Sequence, residues 1–260
     1  MCLVVWGWKV HPEYPLILIA NRDETYRRPT QPLGPLEDTS PTVYAGLDQK
    51  AGGTWAGITE QGRFAALTNF RQPSEKVPTE ARSRGHLVKD YLTGRQYPDA
   101  YLEHLETEAQ DYAGFNLLVG NRKQLLYYSN RGERPRALRP GIYGLSNGLL
   151  HSGWPKVEES RVAFTHIISR RKPNFEQLFQ MMQNAREYPT QLLPDTGLPL
   201  EQEAALSPAF IQTENYGTRS SLLMVVDHKQ QATVVEKTYT PGQVPIQVSE
   251  EKQFSFDLKP

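Results

Sequence analysis

Cysteine is nearly missing from this chain: Cys2 is the only one in 260 residues. That excludes an internal disulfide framework and a cysteine-rich zinc site. Net charge is missing too. Lysine plus arginine and aspartate plus glutamate both number 29. A nucleic-acid binder would carry a clustered basic excess, so no nucleic-acid partner is expected. No stretch approaches the roughly 20 apolar residues of a membrane span. The N-terminus lacks the basic stretch, apolar run and small-residue cleavage site of a signal peptide. With a free thiol, these absences predict a cytoplasmic protein without a membrane span. The six histidines are His11, His86, His104, His151, His166 and His228, and no pair has HExxH spacing. There is no GxGxxG or GxxxxGK[ST] loop either. No metal and no cofactor are therefore expected.

What is present is a series of short apolar strands bounded by turns. Leu3–Trp8 reads as a buried strand, and the turn His11-Pro12-Glu13-Tyr14-Pro15 leads to a second one over Leu16–Ala20. A proline-rich stretch follows through Pro41. Gly52–Ile58 and Arg63–Asn69 read as strands. Apolar spacing predicts helices over Ser83–Thr93 and Pro98–Gln110. Phe115–Gly120 and Leu125–Ser129 form a hairpin pattern, and Ile142–Ser146 is a short strand. Helices return at Lys156–Arg170 and Phe175–Asn184. Tyr188–Pro199 is loop-like, and Ser220–Asp227 with Ala232–Tyr239 closes the series as a strand pair. Sequence-adjacent strand pairs with helices grouped between them predict an α+β fold with antiparallel sheets. The chain reads as one domain over residues 1–260.

By position alone a lone cysteine at residue 2 reads as chance, but the strand that follows Cys2 gives its placement a chemical reading. Removal of Met1 would leave a thiol and a free α-amine on one residue. The reference thiol pKa is about 8.5 and that of the amine about 7.7–8.0, so nucleophile and base are combined. A hairpin starting at Leu3 would hold this residue in place. A thiolate attacking an acyl carbon also needs a group to orient the amine and donors for the developing oxyanion. Polar residues at strand ends supply candidates. Arg22 or Arg219 would stabilise negative charge, Asp23 would orient the amine, and Asn69 and Asn147 would donate to the oxyanion. Each has a structural alternative. Asn147-Gly148 is also a turn signal, Asn69 a strand end, Arg219 a surface cation, and Arg22-Asp23 a local ion pair. Trp55 and His151 are the candidate substrate contacts, although His151 reads first as a loop residue.

Several segments together resemble the NRDE-domain family, whose eukaryotic members are called transport-and-Golgi-organisation proteins. They are Met1-Cys2-Leu3, Ala20-Asn21-Arg22-Asp23-Glu24, Gly53-Thr54-Trp55, Leu67-Thr68-Asn69, Leu145-Ser146-Asn147-Gly148, Trp154-Pro155-Lys156-Val157 and Gly217-Thr218-Arg219-Ser220. That family in turn resembles the N-terminal nucleophile hydrolases, above all the cysteine branch that cleaves penicillin V and conjugated bile acids. The resemblance implies a four-layer αββα sandwich of two stacked antiparallel sheets flanked by helices. By order along the chain it places that branch's catalytic groups on Cys2, Arg22, Asp23, Asn69, Asn147 and Arg219. One departure stands out. The arginine and aspartate are separated by two residues in those hydrolases and are adjacent here. Neighbours on an extended strand point to opposite faces, so Arg22 and Asp23 share a face only if the backbone turns there.

Two functions follow. One is hydrolysis of a small non-peptide amide or thioester through a Cys2 acyl-enzyme. The other is non-catalytic binding or carriage of a hydrophobic small molecule such as haem or an acyl-CoA or lipid, as links reported for family members imply. In both the partner is a small molecule.

Overall fold

The computed structural model describes residues 3–74, 80–132 and 134–259. Its strands are β1 (Leu3–Trp8), β2 (Leu16–Thr25), β3 (Thr30–Pro35), β4 (Val43–Asp48), β5 (Ala56–Thr59) and β6 (Phe64–Asn69). β7 (Phe115–Gly120), β8 (Leu125–Ser129), β9 (Arg136–Ala137), β10 (Gly141–Leu145), β11 (Tyr216–Val226), β12 (Gln231–Tyr239) and β13 (Val248–Asp257) follow. The helices are α1 (Arg84–Thr93), α2 (Pro98–Glu108), α3 (Pro155–Ile168), α4 (Phe175–Met182) and α5 (Leu200–Ala205). One sheet has the order β10-β1-β2-β11-β12-β13, the other β3-β4-β5-β6-β7-β8-β9. The paired strands run antiparallel.

The near-continuous apolar runs are explained by two-sided burial. In β1, Val4, Trp6 and Trp8 face the core between the sheets, while Leu3 and Val5 face the opposite way. In β2, Leu16, Leu18 and Ala20 join the intersheet core, and Ile17 and Ile19 pack with α3 and α4. The seven-stranded sheet does the same. Phe64, Ala66 and Leu118 point between the sheets, and Ala65, Leu67, Leu117 and Val119 pack under α1 and α2. Three apolar layers thus separate four structural ones: helices, sheet, sheet, helices. This is the α+β sandwich that the sequence predicts.

Some elements differ from expectation. β2 runs five residues past Ala20, through the whole of Asn21-Arg22-Asp23-Glu24 to Thr25. Gly52–Trp55 is a loop, and the strand starts at Ala56. The proline-rich stretch contains β3, an edge strand whose pairing with β4 shifts register between Gln31 and Gly34. Proline is tolerated at such edges and bulges because a ladder donor is not required there. The β13 edge strand and the short α5 lie outside the predicted elements. Among the described residues no helix is long and apolar enough to cross a membrane.

Candidate active site

Antiparallel pairing brings distant segments to one end of the sandwich. Leu3 pairs with Asn21, Val4 with Leu145, Asp23 with Thr218, and Asn69 with Phe115. The start of β1, the C-terminal part of β2, the end of β6, the end of β10 and the start of β11 therefore meet. Cys2 lies outside the described residues.

Strand alternation sorts the tetrapeptide Asn21-Arg22-Asp23-Glu24. Asn21 faces the helix layer, where its Nδ2 donates to Met182 O and Ala209 O, each at 2.8 Å. Its Oδ1 accepts from Ser221 Oγ at 2.5 Å, and Ser221 Oγ accepts from Tyr239 OH at 2.9 Å. These bonds pin β2 to the end of α4. Arg22 faces between the sheets, with its guanidinium carbon 4.3 Å from the Trp55 ring centroid. Asp23 faces the helix side again, and its Oδ1 accepts from Thr218 Oγ1 at 2.6 Å. β2 does not turn here, so Arg22 and Asp23 occupy opposite faces of one strand.

Both residues carry an unsatisfied atom. Arg22 is 4 % exposed and Asp23 3 % exposed. Among the described residues, Arg22 Nη1 and Asp23 Oδ2 are buried with no hydrogen-bond partner. Burial of polar groups normally requires a partner, and a buried charge requires one more strongly. Burial, and secondarily the nearby Arg219 charge, lowers the Arg22 pKa, while the carboxylates of Glu24, Asp48 and Glu236 oppose that shift. Glu236 is 2 % exposed and points between the sheets in phase with Val234. It accepts from Leu33 N at 2.8 Å and Ser220 Oγ at 3.1 Å. Burial raises its pKa.

Arg22 and Trp55 line a cavity of about 370 Å³, together with Glu24, Asn69, Arg84 and Gly85. Gly46 on β4 leaves room for Trp55, since a Cβ there would collide with the indole ring. A second cavity of about 250 Å³ shares Asn69 and Arg84 with the first and adds Asn147. Asn147 Nδ2 donates to Asn69 O at 2.8 Å, and Arg71 N donates to Asn147 O at 2.7 Å. Asn147 thereby joins the end of β10 to the end of β6. Arg219 sits at a β11 bulge between Thr218 and Ser220. Its Nη1 donates to Thr25 O at 3.0 Å and Arg28 O at 3.1 Å. It clamps the turn after β2 and is not part of the cavity lining. His151 lines a different cavity, with Tyr127 and Arg136. The structure therefore brings Arg22, Trp55, Asn69 and Asn147 together, sets Asp23 on the far face of β2, and leaves His151 apart.

Sequence reading missed Asn116. Its Nδ2 donates to Thr68 Oγ1 at 3.0 Å and Gly148 O at 2.9 Å, and its Oδ1 accepts from Tyr127 OH at 2.8 Å. Thr68 Oγ1 in turn donates to Ser146 O at 2.6 Å. This buried network holds the segment carrying Asn147 on the seven-stranded sheet. The signal was an asparagine inside the apolar strand Phe115–Gly120. Glu236, a lone acid in phase with apolar neighbours, was a similar signal.

Comparison with known proteins places this architecture. The family model for Transport and Golgi organisation 2 matches residues 1–241. The chain belongs to that family. A Transport and Golgi organization protein 2 homolog from Bos taurus is 34% identical over 263 residues, covering 92% of this chain and 93% of the relative. Transport and Golgi organization protein 2 from Drosophila melanogaster is 28% identical, with the same coverage. Among solved structures, a variant of the conjugated bile acid hydrolase from Clostridium perfringens aligns with a TM-score of 0.52 at 9% identity, over 99% of this chain and 98% of that one. A Caenorhabditis elegans ortholog of N-acylethanolamine-hydrolyzing acid amidase aligns with a TM-score of 0.53 at 12% identity, over 86% and 92%. At such identities the likeness is one of fold. The chain thus has the fold of these two hydrolases.

Proposed function

We propose that this chain is a cysteine N-terminal nucleophile hydrolase that cleaves a small non-peptide amide or thioester through an acyl-enzyme on Cys2. One observation carries the reading. Adjacent residues of β2 each present a buried charged atom that has no partner among the described residues, one cationic (Arg22 Nη1) and one anionic (Asp23 Oδ2). They directly follow Asn21 along β2, Asn21 pairs with Leu3, and Cys2 precedes Leu3 in the chain. A processed Cys2 would bring the two complementary charges, a thiolate and an α-ammonium, on one residue. The adjacency of arginine and aspartate, a departure from the hydrolase spacing, then has a physical use: the two charges are handled from opposite faces of one strand.

In the reaction, the unprotonated α-amine takes the thiol proton and Sγ attacks the acyl carbon. Arg22 lowers the cost of the thiolate. The Asn69 side chain makes no hydrogen bond among the described residues and lines both cavities, so its amide is the donor for the oxyanion. Collapse of the tetrahedral adduct breaks the C–N or C–S bond, and the ammonium returns its proton to the leaving group. Water, deprotonated by the same amine, then attacks the thioester and releases the acid. Asn147 and Arg219 act by position. The first holds the Asn69 main chain, and the second holds the turn bearing Arg28. Trp55 supports Arg22, and His151 takes no part.

The test is intact-mass analysis after quenching the protein with acyl amides and acyl thioesters. The expected result is an acyl adduct on Cys2, absent in Cys2→Ala together with turnover. Turnover retained by Cys2→Ala, or an adduct on another residue, would overturn the reading.

A further inference from the structure

The two cavities flanking Asn69 differ in chemistry. The larger is lined by four arginines, Arg22, Arg28, Arg82 and Arg84, against two carboxylates, Glu24 and Asp48. Both carboxylates are engaged by one cation. Arg28 reaches Asp48 Oδ2 with Nε at 2.7 Å and Nη2 at 2.6 Å, and lies 3.7 Å from Glu24. Arg82 pairs with Glu108 at 2.6 Å. Arg22 differs from both. It is buried, its side chain donates no hydrogen bond among the described residues, and it rests on Trp55 at this cavity's wall. A guanidinium carries five N–H donors, so Nη1 can meet Cys2 while the remaining donors of the same group meet a carboxylate.

The wall opposite is the first turn of α1. Ser83, Arg84 and Gly85 line the chamber, and Ser83 makes no side-chain capping bond. The positive end of the helix therefore faces the cavity. Backbone contact fixes it there. A Cβ on Gly53 would come within 2.5 Å of the Gly85 carbonyl carbon, and Thr54 N donates to Gly85 O at 3.1 Å. The smaller cavity has an apolar wall from Phe70, Leu206 and Ile211, beside Tyr216, Asn147, Arg84 and an Arg71 that is paired with Glu203 at 2.6 Å.

We propose that the larger chamber is a carboxylate subsite. The substrate is then an amide or thioester with a carboxylate on one side of the scissile bond and a compact apolar group on the other. The carbonyl sits at Asn69, which lines both chambers. The word substrate rests on the hydrolase reading above; the carboxylate subsite does not.

The test uses Cys2→Ala protein, so that binding is read without turnover. Calorimetric titration with N-benzoylglycine and with its uncharged analogue N-benzoylglycinamide isolates the charge. The acid is expected to bind at least tenfold more tightly, and N-acetylglycine, lacking the ring, more weakly than the benzoyl acid. Raising the salt concentration weakens the acid and leaves the amide unchanged. Adding Arg22→Gln to Cys2→Ala abolishes the preference. The salt series on the parent protein keeps the test decisive should the double variant fail to fold. Equal binding of acid and amide, no binding of either, or tighter binding of inorganic phosphate than of the acid would overturn the proposal. Failure here is separable from failure of the hydrolase reading. A Cys2 acyl adduct formed from neutral amides, with no acid preference, removes only the subsite. Selective acid binding with no adduct on Cys2 removes only the chemistry.

Discussion

Arg22→Met is expected to stabilise the free protein while abolishing the proposed hydrolysis. A guanidinium 4 % exposed has lost nearly all of its water. The effective penalty for burying an ion is several kcal/mol, and no hydrogen bond among the described residues offsets it. Stacking on Trp55 at 4.3 Å returns about 1–2 kcal/mol. The carboxylates of Glu24, Asp48 and Glu236 attract it without bonding to it. Methionine fills similar length, keeps a favourable contact with the indole and needs no partner. The balance favours the variant by about 1–2 kcal/mol, which for a chain of this size raises Tm by about 2–6 °C. Urea unfolding gives the same number independently, as a higher midpoint at unchanged slope. Turnover of any amide or thioester substrate should fall to the level of Cys2→Ala. A loss of more than about 1 kcal/mol on removing Arg22 would refute the reasoning, because the cation would then be held favourably by the protein's own groups.

Other perturbations follow from the same packing. Asn116→Leu strands Gly148 O, Thr68 Oγ1 and Tyr127 OH. It should cost about 2–4 kcal/mol and speed hydrogen exchange at Leu150 N, which donates to Tyr127 OH. Glu236 has a raised pKa in the folded state because of burial. The folded protein therefore binds that proton more tightly than the unfolded chain, and stability falls as pH rises from the ordinary value of 4.5 through the folded value. Glu236→Gln should match the wild type in acid and exceed it in Tm near neutrality. A constant difference across pH would contradict this. Gly53→Ala should cost about 1–3 kcal/mol by pushing the first turn of α1 off the cavity wall, with unfolding in urea as the measure.

Much of the sandwich was legible because burial on both faces writes strands as apolar runs. β1, β6, β7 and β8 fall within a residue of their predicted bounds. The α1 face Leu87, Val88, Tyr91, Leu92 is the buried one. β3 and β13 were illegible for the same reason in reverse. They are edge strands, and the prolines of one and the charges of the other reflect an unpaired side. The neighbours Arg22, Asn69 and Asn147 could be chosen from residue type at strand ends, but their convergence depends on register between segments far apart in the chain. The opposed faces of Arg22 and Asp23 followed from strand periodicity once β2 proved to run straight. That one of the two stacks on Trp55 did not, because Trp55 sits in a loop whose path is set by Gly46 and by Leu67 N donating to Trp55 O at 2.9 Å.

The central claim is that Cys2 is an activated N-terminal nucleophile. The direct measurement is intact mass of protein bearing no added N-terminal residues, followed by the rate of limiting thiol alkylation from pH 5 to 9. The account predicts a mass lacking Met1 and a thiol that alkylates well below the free-cysteine value of about 8.5. It also predicts that the profile moves back towards that value in Arg22→Met. A mass retaining Met1, or a thiol titrating as a free cysteine in the unsubstituted protein, would contradict it.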